Sequence, residues 1–136
     1  MTDSVFRGGD MFSPNNAYGG FSVSDIPQAR AFYSKTLGMT VTENEMGFLN
    51  LHLASGATIL VYSKENHSPA SFTILNFEVD DVDSAVDDLN ARGVVTKIYD
   101  DDTIPTDEKG IARGMGPTIA WFTDPAGNVL SVLQSE

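Results

Sequence analysis

Phe77-Glu78-Val79-Asp80-Asp81-Val82 repeats a pattern first met 56 residues earlier, at Phe21-Ser22-Val23-Ser24-Asp25-Ile26. In each stretch apolar residues alternate with polar ones, the period of two expected of a half-buried strand. An aspartate then stands where a side chain can accept a hydrogen bond from a free N–H of a starting helix. Downstream of the first copy, Ile26, Ala29, Tyr33 and Leu37 recur at helical spacing, and Pro27 sits in the first turn, where its missing N–H costs nothing. Gly38 permits the left-handed turn that stops that helix. In the second copy Val82, Ala85, Val86 and Leu89 form the stripe, over a helix from about Asp81 to Arg92, and Gly93 ends it, 55 residues after Gly38.

Three shorter strands are expected after the first helix, near Thr40–Glu45, Phe48–Leu53 and Thr58–Tyr62, punctuated by Met46-Gly47 and Ser55-Gly56. After the second, strands are expected at Val94–Tyr99, Pro117–Thr123 and Asn128–Gln134, the last two joined by Asp124-Pro125-Ala126-Gly127. Gly56 and Gly127 are 71 residues apart, so the second unit has grown, and Asp100–Gly116, acidic and glycine-containing, is the place for the growth. Within it, Gly110–Gly116 reads as a mobile lid as much as a phosphate loop, since it lacks the Gly-Lys-Ser/Thr ending. A repeat this long is no solenoid, and one helix per unit is too few for a doubly wound parallel sheet. The expected fold is α+β: two strand–helix–three-strand units forming one domain, 17–136, with modules at about 17–66 and 71–136. Residues 1–16 mix Gly, Ser, Pro and Asn without a period and read as a flexible leader.

A chain of 136 residues suits one core. No apolar run approaches the roughly 18 residues of a membrane helix, and no basic cap with an apolar stretch marks a secretory signal. Without cysteine there is no disulfide, thiolate nucleophile or cysteine metal site, which fits a cytoplasmic protein. The formal charge of −11, from 19 acids and 8 bases, repels phosphate backbones and favours cationic ligands. Nucleic acid and membrane are therefore not expected partners.

Ser22-Val23-Ser24-Asp25-Ile26 leading to Phe32-Tyr33 and Leu37-Gly38 resembles the first-module pattern of the vicinal oxygen chelate superfamily. So does Val79-Asp80-Asp81-Val82 leading to Leu89, Arg92-Gly93 and Phe122-Thr123-Asp124-Pro125-Ala126-Gly127-Asn128. The superfamily includes glyoxalase I, extradiol dioxygenases, fosfomycin-resistance transferases and bleomycin-resistance proteins. The resemblance, over about 17–134, implies paired βαβββ modules whose sheets curve around a cleft. It also implies that dimerisation is common. In metal-dependent members four strand positions carry His, Gln or Glu; here the matching positions are Tyr18, Leu60, Ile74 and Ser131. Leu and Ile cannot coordinate, and neutral Tyr and Ser are poor ligands for a divalent ion. Neither a metal nor another cofactor is expected.

Alternation along the strands then marks what lines the cleft. The first strand presents Tyr18 and Ser22, the third Asn50 and His52, the fourth Leu60 and Tyr62. In the second unit these are Ile74, Asn76 and Glu78, then Trp121, then Ser131. Aromatics with a few polar groups are the usual make-up of a small-molecule pocket. His52 could act as a general base, and Glu78 as an acid or cation ligand, but His52 reads first as a hydrogen-bonded or solvent-facing residue and Glu78 as a rim residue, neither with chemistry. His67, in the linker Lys64–Ala70, reads as a surface residue, and so does Arg113, although it could contact an anion. The Asp80–Asp88 cluster reads as a solvated helix face, and Asp100-Asp101-Asp102 lacks the spaced ligands of a calcium loop.

The expectation is a metal-free protein that binds a small, partly aromatic or cationic molecule rather than an enzyme. The alternative is a metal-independent lyase or isomerase using His52 or Glu78. A metal-dependent glyoxalase or dioxygenase would require the four ligand positions to lie elsewhere.

Overall fold

A computed structural model of the chain describes residues 11–100, 102, 104–114 and 116–134. Residues 1–10 of the expected leader lie outside them. The first module runs β1 (Gly19–Val23), α1 (Ile26–Ala31), a π-helical turn (Phe32–Thr36), β2 (Thr40–Glu43), β3 (Leu49–His52) and β4 (Thr58–Ser63). The second runs β5 (Thr73–Glu78), α2 (Val82–Ala91), β6 (Ile111–Ala112), β7 (Thr118–Thr123) and β8 (Val129–Gln134). Each module is a four-stranded sheet in the same order, β1-β4-β3-β2 and β5-β8-β7-β6. In both, the first and last strands pair in parallel and the rest antiparallel. This is the α+β, twice-βαβββ architecture expected from the repeat. Among the described residues no helix is long and apolar enough to cross a membrane.

The matching aspartates do matching work. Asp25 accepts from the Gln28 N–H and Asp81 from the Asp83 N–H, each capping its own helix. The helical stripes face inward: Ala29 and Tyr33 from one module, and Val82, Val86 and Leu89 from the other, join Leu49, Leu51, Val61, Phe122 and Leu130 in one core. The modules therefore meet on their helix-bearing sides. Arg92, at the end of α2, donates from Nη1 to the Thr36 carbonyl across that junction, at 2.9 Å.

The expected strand Val94–Tyr99 is not formed; the outer strand of the second sheet is the short β6, with Ile111 opposite Ala120. Val94 and Thr96 are buried and Val95 is exposed, so the alternation imitates a strand. Side chains satisfy the groups a ladder would use: Asn90 Nδ2 donates to the Val94 carbonyl and to Thr96 Oγ1, and Thr96 Oγ1 donates to the Lys109 carbonyl. Gly110 closes this excursion at φ +87°, so near Thr96 that a Cβ would stand 1.9 Å from its carbonyl oxygen.

The loop is fastened at its far end rather than loose there. Arg113 donates to both Asp83 carboxylate oxygens, at 3.1 and 2.7 Å, and Lys109 pairs with Asp87 at 2.8 Å. Arg113 is thus occupied by carboxylates of this chain and not poised for an anion. The Asp80–Asp88 face supplies those partners through Asp83 and Asp87, while Asp88 pairs with Arg92.

Candidate functional site

The hairpin Asp124-Pro125-Ala126-Gly127-Asn128 organises the junction between modules. Asp124 is buried, and its two carboxylate oxygens accept from the Ala126 N–H, the Asn128 N–H, Asn128 Nδ2 and the Tyr33 hydroxyl. Burial, then the neighbouring Asp124 carboxylate, hold the Tyr33 hydroxyl well above the usual tyrosine range, so it stays a donor. Asn128 Nδ2 also donates to the Ser22 carbonyl at 2.9 Å. The most recognisable stretch of the sequence is therefore a brace between the first helix, β1 and the second sheet.

Beside that brace runs a groove of about 440 Å³, bounded by Gly19, Gly20 and Ser22 on β1, by Phe72 and Ile74, and by Asn128. Ser22 and Ile74 are the two expected site residues that the fold brings to it. Tyr18 stands just before β1, 71% exposed.

Cross-strand register sorts the others into two sets. On the first sheet Gly20, Leu60 and Asn50 lie in one row, with Ser22 opposite Tyr62 in the next. Leu60, Asn50, Tyr62 and His52 are all half-buried there. Phe48 packs edge-on to Tyr62, ring centres 6.2 Å apart. His52 Nε2 lies 2.7 Å from Thr42 Oγ1, a hydroxyl rather than a carboxylate. On the second sheet Asn76, Ser131 and Trp121 form the corresponding row. Ser131 has no exposure at all and donates to Asn76 Oδ1 at 2.6 Å. Trp121 Nε1 donates to Thr73 Oγ1, and Tyr99 meets the indole edge-on at 5.2 Å. Glu78 ends β5 and is exposed, at the rim of the sheet.

One residue read as surface belongs to the site. His67 is half-buried between modules, with Nδ1 2.7 Å from Ser22 Oγ and Nε2 3.0 Å from the Ala126 carbonyl. Nothing in the linker's own sequence signals this, because both partners are remote in the chain.

Residues 17–132 match the family model of the Glyoxalase/Bleomycin resistance protein/Dioxygenase superfamily. The chain belongs to this superfamily. Among solved structures it is similar to a protein assigned to the glyoxalase family from Bacillus anthracis (20% identity, TM-score 0.65, 93% of this chain and 100% of that one). It is also similar to TnmS3, an antibiotic binding protein from Streptomyces sp. CB03234 (22%, 0.64, 92% and 100%). A glyoxalase family protein from Enterococcus faecalis is comparable (21%, 0.62, 90% and 99%). At these identities the likeness is one of fold. A comparison with curated proteins finds no match.

Metal-dependent members of the superfamily would need donors at Tyr18, Leu60, Ile74 and Ser131. Leu60 and Ile74 offer no donor atom, and the neutral Ser131 hydroxyl, fully buried and donating to Asn76, is a poor ligand. Among the described residues no three His, Cys, Asp or Glu side chains cluster where they could hold an ion. The residues present do not fit a divalent metal.

Proposed function

We propose that this superfamily member is a metal-free binding protein. It holds a small, partly aromatic or cationic molecule against the first sheet and the groove along β1. The observation that carries this reading is the face of the first sheet beside the groove: Leu60, Tyr62 and Phe48 supply apolar and aromatic surface, while Asn50, His52 and, in the groove, Ser22 supply a few polar groups. The net charge of −11 adds attraction for a basic ligand. Its likeness to a protein described as antibiotic-binding supports the same class.

A second copy of the chain would complete the site. The modules meet through their helices, which leaves Tyr18 and Phe72 exposed beside the groove, 71% and 68%. We infer a homodimer that covers them.

Thermal-shift screening against cationic antibiotics and planar aromatics is the direct test, with light scattering for the mass. Stabilisation by at least one of these classes is expected. A flat response to every class, or near-stoichiometric Zn, Ni, Mn or Fe in the purified protein, would overturn the reading.

A further inference from the structure

We propose that Ser22 is a nucleophile, activated by His67, that takes an acyl group from a small activated ester. This goes beyond binding, for which Ser22 need only be a hydrogen-bond partner.

The tautomer of His67 follows from its neighbours. The Ala126 carbonyl can only accept, so Nε2 carries the hydrogen in the neutral ring and Nδ1 presents its lone pair. Ser22 Oγ therefore donates to Nδ1, at 2.7 Å. A hydroxyl on a base that a third group holds in one orientation is the arrangement that activates a serine. Ser22 faces the groove while His67 is not among its lining residues, so the nucleophile is in front and the base behind. Linker and hairpin hold the ring from opposite sides: the His67 N–H donates to the Lys64 carbonyl, and Asp124 anchors the hairpin that offers Ala126.

The same groove offers something to an attacked carbonyl. Among the described residues β1 pairs only with β4, so its outer edge carries backbone N–H groups without a strand partner there. That edge is one wall of the groove. N–H donors beside a nucleophile are what a developing oxyanion needs.

The step balances without any further reagent. Ser22 Oγ bonds to the acyl carbon as its proton passes to His67 Nδ1. The bond from that carbon to the leaving oxygen breaks, its electron pair departs with the oxygen, and the leaving group takes the proton from Nδ1. Water then attacks the acyl-serine, gives its proton to Nδ1 and releases the carboxylic acid as Ser22 recovers its hydroxyl.

The test treats the full chain with p-nitrophenyl acetate and reads acetylation by intact mass and peptide mapping. With the reaction quenched in acid during the first turnover, up to one acetyl group per chain on Ser22 is expected, absent in S22A and formed at least tenfold more slowly in H67Q, which retains an amide donor for Ala126. Acetylation spread over lysines and equal in S22A would overturn the proposal. The chain has no cysteine, so S22C introduces its sole thiol. Iodoacetamide alkylation of S22C with a pH midpoint well below the ordinary thiol value of about 8.5 is expected. A midpoint at or above that value would overturn the proposal even if H67Q fails to fold. Neither readout depends on the antibiotic-class ligand, so failure here leaves the binding reading standing.

Discussion

The two modules share topology, capping aspartates and sheet order, yet they treat the same position of the sheet in opposite ways. Leu60 on β4 and Ser131 on β8 occupy equivalent places, after the turn glycines Gly56 and Gly127. Leu60 is half-buried in a row that ends at the groove, whereas Ser131 has no exposure and is bonded to Asn76. The difference arises in the path of the chain beyond each helix. In the first module the chain turns at Gly38 directly into β2. In the second it detours from Val94 to Gly110, placing Tyr99 against Trp121, before β6 forms. The repeat supplies two sheet faces; the detour packs Tyr99 against Trp121 on one, and the proposed ligand takes the other.

The brace between the modules should be the most sensitive point. D124A leaves the Tyr33 hydroxyl and the hairpin N–H groups without acceptors, and each such buried group costs about 1–3 kcal/mol. A total loss of about 4 kcal/mol in urea unfolding is expected, with both modules weakened together. G110A strikes the second module alone. Its Cβ would overlap the Thr96 carbonyl in a left-handed conformation, and about 3 kcal/mol should be lost. Hydrogen exchange should rise at Ile111 and Ala112 before it rises on the first sheet; a uniform rise would show that the detour serves both modules alike.

Y33F removes one donor from a buried carboxylate and should cost about 2 kcal/mol. It also tests the alkaline limb. The Tyr33 hydroxyl is raised in the folded state, so its contribution is intact below the unfolded tyrosine value of about 10 and is lost as pH rises above it. Y33F should be flatter than the parent protein over that range.

Ligand affinity separates the two faces directly. For any ligand found by thermal shift, Y62A should weaken binding about tenfold, the equivalent of about 1.4 kcal/mol. W121A should change it little, because that indole is held by Thr73 and Tyr99. The reverse ranking would place the ligand on the second sheet.

The smallest effect is expected from R113A. Hydrogen bonding from Arg113 lowers the Asp83 carboxyl below its usual value, with burial opposing. For Asp107 burial also opposes, but the backbone N–H groups of Ile111 and Lys109, with Arg113, outweigh it. Depressed carboxylates contribute above the unfolded value of about 3.8 and stop contributing as pH falls below it. R113A should leave the melting temperature at neutral pH almost unchanged, since exposed pairs contribute little, while exchange at Ile111 quickens and the acid limb shallows.

Much of the fold was legible because alternation and helical spacing report burial directly. Ser22–Asp25 and Glu78–Asp81 announced strand and cap, and the glycines announced the turns. Val94–Tyr99 misled because alternating burial arises whenever a chain packs in extended form, whether its polar groups bond to a strand or to Asn90 and Thr96. The site was legible only as strand faces, which parity assigns.

The order of residues was enough to specify two βαβββ modules, their caps and turns, and the lack of donor atoms at Leu60 and Ile74, since each depends on neighbours within a few positions or on side-chain chemistry alone. Long-range packing settled which sheet face stays open, what Asp124 braces, and that His67 meets Ser22 across 45 residues. Those contacts join segments remote in the chain, and local pattern carries no information about the distance between them.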